Sequence, residues 1–418
     1  MIESFKKLKK YNFWENKKIN IGFERSVYLK KIKKYFGNNL IKVLVGQRRV
    51  GKSYLMRQII HELIESGVSA KNIFYFNREI ADFTNINDYK KLNSLIDFYK
   101  KELKVRGRVY VFLDDVQEIE SWEKLVNSLF QDRQDRYEVF ITGSNLRFLS
   151  SELASYLSGR YISFEVFSFS FAEYVDYLKI ERSKKNFLNY LKSGGLPELF
   201  HLEGEEVKRH YIESLQNTIL LKDIVSKYGI KNVNLLENIF KFSINNIGNL
   251  FSVNNVTGFL NSQKQKTNNE TISYYLKYLK YTFLLHEVDR YDIRGKSILA
   301  NTKKYYLNDL AFRNYLSSSF DYEPGNNLEN IVYLYFRSLG YKVYVGKIGN
   351  NEIDFVVEKD GEKKYIQVCF SLNNKKTIER EFGNLEMIRD AYEKMVISLD
   401  DISFGNKDGI AHKLVWEI

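Results

Sequence analysis

Eight consecutive residues, GQRRVGKS at 46–53, match the pattern G-x-x-x-x-G-K-[ST] in full and constrain the fold more than any other feature. In such a loop the glycines let successive backbone N–H groups point at phosphate oxygens. Lys52 then neutralises the terminal phosphates, and the Ser53 hydroxyl coordinates Mg²⁺. An apolar run, Ile41–Val45, precedes the loop, and helical periodicity over Ser53–Glu65 follows it. This context predicts a strand–loop–helix unit that binds a nucleoside triphosphate.

The pattern around this loop continues as alternating strands and helices from about residue 40 to 165. Further β-rich runs are Ile73–Phe76, Val109–Leu113 and Val139–Thr142. Strands that alternate with helices favour a parallel sheet covered on both faces. We therefore predict an α/β fold of the P-loop NTPase type for the first part of the chain.

Two acidic residues, Asp114 and Asp115, directly follow the apolar run Val109–Leu113. Their position predicts that Asp114 is the second Mg²⁺ contact and that Asp115 orients the attacking water as general base. The alternative is an acidic strand end in a solvated loop. Glutamate is commoner at the second position, so the shorter Asp115 bears on the hydrolysis rate rather than on binding.

Polar side chains also follow the next strand, at Ser144 and Asn145. Either could sense the γ-phosphate and position water, and Asn145 is the predicted catalytic residue; helix N-capping is the alternative for both. Downstream, the run LSGR at 157–160 presents Arg160. This arginine could act as a finger on the γ-phosphate of a neighbouring subunit, or it could be an ordinary surface residue.

The order of these motifs resembles the archaeal-type AAA+ ATPases, which carry a C-terminal domain of unknown function with a restriction-endonuclease-like fold. The shared pieces are the P-loop, LDDVQ at 113–117, TGS at 142–144, LSGR at 157–160, GGLP at 194–197, LKDI at 221–224, LEN at 328–330, EIDF at 352–355 and IQV at 366–368. Gln47 stands where many members of the family have proline. The resemblance implies ATP and Mg²⁺ as cofactors.

The resemblance also implies a domain order and an assembly. We expect an ATPase domain over 1–167, a helical lid over 168–230, a winged helix over 231–323 and a nuclease-like domain over 324–418. A homo-oligomer is implied, because Arg160 as a finger must reach the next subunit. Pro197 resembles the element that packs near the nucleotide base, although Gly-Gly and Pro would also form a plain turn. The residues expected to contact the nucleotide are Gly46, Arg48, Arg49, Val50, Gly51, Lys52, Ser53, Tyr54 and Pro197.

The middle of the chain has winged-helix proportions, with helices predicted at Leu235–Ile247, Val253–Leu260 and Thr271–Lys280 before a hairpin. Lys277 on the third helix and Lys296 in the turn could contact duplex DNA. The alternative is a lid that packs beside the ATPase core. The net charge of +12 permits either interpretation, since an AT-rich genome would also give a chain rich in lysine.

The last segment is read as a helix, three strands, a helix and two strands, in the manner of PD-(D/E)xK nucleases. Such enzymes need acidic ligands for Mg²⁺ and a lysine. Glu329, Asp354 and Gln367 would form this site, but Gln367 is a neutral ligand and Cys369 replaces the lysine. A substitute cation could come from Lys375, Lys376 or Arg380. We expect a degenerate, non-cleaving module rather than an active nuclease.

Bulk composition places few further limits on function. A single cysteine, Cys369, excludes an intrachain disulfide, and no apolar run reaches membrane-spanning length, so a cytoplasmic protein without membrane contact is expected. The leading hypothesis is an AAA+-type ATPase that acts as a nucleotide-dependent switch. The alternatives are an ATP-regulated, Mg²⁺-dependent DNA nuclease and a DNA-binding regulator of a mobile-element or defence system.

Overall fold

The computed structural model describes residues 1–16, 18–132, 136–146, 157, 159–317 and 324–418. These residues form two compact units, Met1–Val166 and Phe167–Ile418. Within the described residues, no helix is long and apolar enough to cross a membrane.

The first unit is built on a five-stranded parallel sheet in the order β2-β3-β4-β1-β5. Its strands are β1 Ile41–Val45, β2 Ile73–Asn77, β3 Val109–Asp114, β4 Tyr137–Gly143 and β5 Tyr161–Glu165. Every residue of β1 is buried, as expected for a strand with both faces covered. The helices are α1 Ile2–Leu8, α2 Ser26–Lys33, α3 Lys52–Glu65, α4 Tyr89–Leu103 and α5 Trp122–Gln131. The predicted parallel α/β sheet is confirmed.

A largely helical region opens the second unit. It contains α6 Phe171–Leu178, α7 Lys184–Ser193, α8 Glu205–Asn217, a π-helical segment Thr218–Ser226, α9 Val233–Asn245, α10 Val253–Ser262 and α11 Asn269–Tyr281. Several N-termini in this region are capped by side chains. Ser170 and Glu173, for example, form a reciprocal capping box at the start of α6.

A nine-stranded mixed sheet follows, in the order β13-β14-β12-β11-β10-β9-β7-β8-β6. Its strands are β6 Leu250–Phe251, β7 Leu285–Asp292, β8 Ser297–Leu307, β9 Lys342–Ile348, β10 Asn351–Lys359, β11 Glu362–Cys369, β12 Glu393–Ser398, β13 Asn406–Lys407 and β14 Ile410–Leu414. The helices beside it are α12 Ala311–Leu316, α13 Pro324–Ser338 and α14 Lys375–Glu386.

This sheet differs from the predicted division into a winged helix and a separate last domain. Strand β7 pairs in parallel with β9, through Arg290 with Val345 and Asp292 with Lys347. One sheet therefore runs across the expected boundary at 323/324. The edge of β7 is occupied by β9, so the β7–β8 hairpin is part of a larger sheet rather than a free-standing wing. The reason is long-range strand pairing, which local turn residues such as Pro324 and Gly325 do not reveal.

Candidate nucleotide site and C-terminal acidic cluster

The phosphate-binding loop connects the carboxyl end of β1 to the start of α3, and two glycines make this connection sterically feasible. A Cβ atom at Gly46 would lie 2.2 Å from the carbonyl oxygen of Val166, so only glycine fits there. Gly51 precedes α3 with φ +96°, a left-handed conformation that favours glycine. Arg49 also has a positive φ of 69°. Gly46 and Gly51 thus stand at the two loop positions where the backbone requires glycine.

Lys52 is the first residue of α3 and is only 7% exposed. Its Nζ donates hydrogen bonds to the carbonyl oxygens of Gly46, at 2.9 Å, and Gln47, at 2.8 Å. The ammonium group therefore folds back over the loop, where a phosphate would lie at the N-terminus of α3. Gln47, the second residue of the loop, is fully buried.

The remaining predicted loop contacts have different environments. Arg48 forms an ion pair with Glu79 at 3.0 Å. Val50 is buried, and its carbonyl oxygen accepts a hydrogen bond from Arg25 at 3.2 Å. Ser53 is half-buried, whereas Tyr54 is exposed. The metal contact expected of Ser53 stays a prediction.

Asp114 ends β3 and is buried among three hydrogen-bond donors. Its Oδ2 accepts from the Tyr75 hydroxyl, at 2.8 Å, and from Asn77, at 3.1 Å, both on β2. Its Oδ1 accepts from the Thr142 hydroxyl on β4, at 2.6 Å. Parallel pairing brings the carboxyl ends of β2, β3 and β4 together, so the three donors fix the orientation of this carboxylate. Sequence reasoning found Asp114 but not these partners.

Asp115 adopts a left-handed conformation, with φ 50°. Its backbone N–H donates to the Thr142 hydroxyl oxygen at 2.8 Å, and its Oδ1 accepts from Gln117 at 3.0 Å. Burial and then the charge of Asp114 raise the pKa of Asp115 to about 6, while the charge of Lys52 opposes the shift. A carboxyl group with this pKa suits a general base that works near neutral pH.

Gln117 connects this acidic pair with the end of β4. Its Nε2 contacts the Ser144 Oγ at 3.3 Å as well as Asp115. Ser144 and Asn145 are both buried. Residues 147–156, which would continue a helix capped by either side chain, lie outside the described residues, so the capping alternative stays open. Gln117 lies in the run LDDVQ, but no role was assigned to it from the sequence, because a single glutamine two residues after a carboxylate carries no recognised signal.

Arg160 lies at the amino ends of the parallel strands, opposite the ends that the phosphate-binding loop follows. Its carbonyl oxygen accepts a hydrogen bond from Ile41 at 2.9 Å, at the amino end of β1, whereas the phosphate loop follows the carboxyl end. A strand of this length spans about 16 Å. The guanidinium group donates to Asn127 at 2.6 Å and lies 5.4 Å from the centre of the Phe130 ring. Arg160 is therefore placed away from the loop of its own chain.

A cleft of about 830 Å³ adjoins Arg160 at this edge. Two further arginines, Arg108 and Arg136, line it. Arg108 forms an ion pair with the buried Glu138, at 3.2 Å. Three arginine side chains therefore line one cleft at the amino ends of the strands.

Pro197 belongs to the second unit, where it begins a short 3-10 turn, Pro197–Phe200. The preceding Gly195 donates its N–H to Asp309 at 2.9 Å, and a Cβ there would lie 2.2 Å from the Phe169 carbonyl oxygen. Burial raises the pKa of Asp309 to about 6. These contacts explain the glycine pair by packing within the second unit, and the expected contact of Pro197 with a nucleotide base stays a prediction.

The residues predicted for a nuclease-like site do come together in the second unit. Asp354 accepts a hydrogen bond from the Val368 N–H at 2.7 Å, and Gln367 accepts from the Asp354 N–H at 2.8 Å. Gln367 in turn donates to Glu381 on α14 at 2.8 Å. Burial, followed by the charge of Glu329, raises the pKa of Asp354 well above its usual range. Glu381 was not anticipated.

The cation beside these acids is Lys304 on β8, which sequence reasoning missed. Its Nζ lies 2.8 Å from Glu329 and 2.7 Å from Glu352. Of the three candidates considered from the sequence, Lys375 and Lys376 are exposed. Arg380 donates at 2.9 Å to Glu381, the carboxylate that also accepts from Gln367. Among the described residues, no group of three or more His, Cys, Asp or Glu side chains is arranged to hold a metal ion.

Comparison with known proteins places this architecture in a family. A family model described as an AAA domain matches residues 38–175, and a model of a domain of unknown function matches 184–323. An uncharacterized protein of Haemophilus influenzae is 33% identical over 378 residues, which are 90% of this chain and 92% of that protein. An uncharacterized protein of Methanocaldococcus jannaschii is 28% identical over 382 residues, 87% of this chain and 81% of that protein.

A solved structure supports the fold at lower sequence identity. The Walker-type ATPase of Pyrococcus abyssi is 17% identical with a TM-score of 0.50, covering 71% of this chain and 96% of that one. The domain of unknown function matches the middle of the chain, so the likeness of residues 324–418 to nucleases stays a prediction. Residues 38–175 of the chain match the AAA domain, and the chain belongs to one family with the Haemophilus influenzae protein.

Proposed function

We propose that this chain binds ATP with Mg²⁺, hydrolyses it slowly and acts as a nucleotide-dependent switch. The observation that carries the proposal is the convergence of Lys52, Asp114 and Asp115 at the carboxyl edge of one parallel sheet. The backbone N–H groups of 46–53 and the N-terminus of α3 would receive the phosphates.

The oxygen donors at this edge fit a magnesium ion. The hydroxyl of Ser53 and the carboxylate of Asp114 are the hard oxygen ligands that Mg²⁺ prefers. When bound, the ion would screen the charge of the phosphates. Tyr75 and Thr142 position the Asp114 carboxylate, because each donates a hydrogen bond to one of its oxygens.

Asp115 is the proposed base for the attacking water, and Asn145 is proposed to sense the γ-phosphate. The Gln117 hydrogen bond orients the Asp115 carboxylate, and its raised pKa lets it accept a proton near neutral pH. The proton would pass from water to a carboxylate oxygen of Asp115 as the water oxygen bonds to the γ-phosphorus. The bond from that phosphorus to the bridging oxygen would break, and ADP would leave with the electron pair.

Arg160 is proposed to serve the site of a neighbouring subunit in a homo-oligomer. Its place at the amino edge of the sheet supports this role, because the loop of its own chain follows the opposite edge. Charge stabilisation by such an arginine contributes about 10³–10⁵-fold in related phosphoryl-transfer systems.

Replacement of Lys52 tests the proposal. We expect Lys52→Ala to weaken ATP binding by about 100-fold or more, since hydrogen bonds from an ammonium to phosphate contribute roughly 1.5–3 kcal/mol each. Isothermal titration with ATP and Mg²⁺ measures the affinity. Lys30→Ala, at an exposed lysine on α2, is the matched control. Equal ATP affinity in the wild type and Lys52→Ala would overturn the assignment.

A second candidate function is contact with duplex DNA through α11 and the β7–β8 hairpin. Ile272, Leu276 and Leu279 of α11 are buried, while Tyr274 and Lys277 face solvent. At the hairpin tip, Arg294 and Lys296 are also exposed. The C-terminal module would then bind or dock without cutting.

Salt dependence distinguishes this contact from general charge attraction. The logarithm of the DNA-binding constant falls linearly with the logarithm of the salt concentration. If Lys277 and Lys296 each neutralise one phosphate, replacing both with alanine should make this negative slope shallower by about 2. Fluorescence anisotropy with a labelled duplex measures this slope, and Lys241→Ala, at an exposed lysine on α9, is the control. An unchanged slope would exclude this surface as the DNA contact.

A further inference from the structure

The ammonium group of Lys304 lies inside the C-terminal acidic cluster, which we define as Glu329, Glu352 and Asp354. Lys304 is only 3% exposed, and its Nζ contacts Glu329 and Glu352 at 2.8 and 2.7 Å. The Tyr306 hydroxyl, two residues along the same strand, also donates to the Glu329 oxygen at 2.5 Å. Two neighbouring side chains of β8 are thus aimed at one carboxylate.

The carboxylates reach this position from separate elements. Glu329 comes from α13, whereas Glu352 and Asp354 come from β10, whose pairing with β9 shifts register between Ile353 and Val356. Such an irregularity redirects side chains. Buried carboxylates repel one another and require a cation, a proton or hydrogen-bond donors to be tolerated.

We propose that the Lys304 ammonium is the resident cation of the acidic cluster and takes the place that a divalent metal ion would otherwise fill. A metal ion and this ammonium cannot both contact Glu329 and Glu352, because Mg²⁺ would need oxygens at roughly 2.0–2.1 Å and Ca²⁺ at roughly 2.3–2.6 Å around the same point. The C-terminal module therefore works without a metal at this position.

The charges of the cluster agree with this assignment. Burial lowers the pKa of Lys304, but the charges of Glu329, Asp354 and Glu352 outweigh burial and raise it overall, so the lysine stays protonated.

The assignment changes the interpretation of the incomplete nuclease-like motif. The lysine missing at Cys369 has a counterpart in Lys304, but Lys304 comes from the hairpin strand β8 and donates directly to the acids. A lysine in that position neutralises the acids itself instead of standing beside a metal ion. Metal-dependent cleavage of a phosphodiester at this cluster is then blocked by the side chain of the protein itself.

Removing the ammonium should convert the cluster into a metal site. We expect nucleotide-free Lys304→Met protein to bind one more Mn²⁺ per chain than the wild type, with the free ion followed by electron paramagnetic resonance. The additional site should disappear in the double variant Lys304→Met/Glu329→Gln. Mn²⁺ bound at the ATP site is common to all these proteins and cancels in the comparison.

Lys303→Met is the matched control, because Lys303 also contacts two carboxylates, Glu287 at 2.7 Å and Asp289 at 3.1 Å. Lys280 remains 2.8 Å from Glu287 in that variant, so no additional Mn²⁺ should bind. The proposal is overturned if folded Lys304→Met gains no Mn²⁺.

A comparison that keeps Lys304 provides an independent test should Lys304→Met fail to fold. Wild type and Glu329→Gln should bind the same number of Mn²⁺ ions, because the ammonium already fills the cluster. Loss of one bound Mn²⁺ on Glu329→Gln would show that a metal ion occupies the cluster in the presence of Lys304, and would contradict the proposal.

Discussion

Both compact units contain a buried lysine near carboxylates, but the two lysines are held by different acceptors. In the first unit, Lys52 donates to the carbonyl oxygens of Gly46 and Gln47. In the second unit, Lys304 donates to the carboxylates of Glu329 and Glu352. Neutral carbonyl groups compete weakly with phosphate for an ammonium group, whereas carboxylates compete strongly.

The surroundings of the two lysines differ in the charge that they can still accept. Lys52 stands on a loop whose N–H groups and helix N-terminus favour an added anion. Lys304 stands in a cluster whose negative charge it already neutralises. We therefore expect the first arrangement to bind and process a phosphate ligand, and the second to stabilise the fold.

The largest expected difference between the two units is in the effect of an Asp→Asn substitution on the rate of ATP hydrolysis. Asp115→Asn should lower the ATPase rate by about 10²–10⁴-fold, the usual contribution of a general base, while ATP binding is retained. The equivalent change in the second unit, Asp354→Asn, should leave the rate unchanged. Steady-state phosphate release from both variants measures this, and a similar loss in both would contradict the contrast between the units.

For stability, the larger effect is expected in the second unit. Lys304→Met should lower the free energy of unfolding by about 3–5 kcal/mol, because it leaves buried carboxylates without their cation. Lys52→Met should cost less than half of that, since the loop carbonyls are neutral and can bond water. Urea unfolding followed by circular dichroism measures both losses, and equal losses would contradict the proposed difference.

The sign of the pH dependence sharpens this prediction. The folded-state pKa of Lys304 lies above its ordinary value, so its stabilising contribution is present below that ordinary value. The contribution is lost as pH rises through the folded pKa. The stability gap between wild type and Lys304→Met should therefore persist across neutral pH and narrow only in alkaline solution.

A smaller effect is expected in the pH profile of hydrolysis. The pKa of Asp115 is raised to about 6, and only its deprotonated form can accept a proton from water. The rate should therefore fall about tenfold between pH 7 and pH 5. Asp115→Asn should abolish this acidic limb, so retention of the limb in that variant would assign it to another group.

The elements of the candidate nucleotide site could largely be predicted, because its main residues are contiguous. The loop at 46–53 and the pair Asp114–Asp115 are marked by short local patterns next to apolar strands. The side chains that hold Asp114 in place are not, since Tyr75 and Thr142 reach it only through pairing of β2, β3 and β4. Local pattern reading does not give the order of strands in a sheet.

The second unit was less predictable for the same reason. Its helices follow clear periodicity, and α6 spans the predicted Phe171–Leu178. The pairing of β7 with β9 joins strands far apart in the sequence, so local patterns predict the hairpin but not its place in a larger sheet. Lys304 lies 25 residues before Glu329, and no spacing rule connects the two.

The most direct test of the proposal that subunits share an ATPase site is complementation between two inactive variants. Arg160→Ala and Asp115→Asn should each hydrolyse ATP poorly when alone. A mixture should regain activity, because an interface between different chains can combine an intact Asp115 from one with an intact Arg160 from the other. Wild-type activity of Arg160→Ala, or a mixture no more active than the sum of its components, would contradict hydrolysis between subunits.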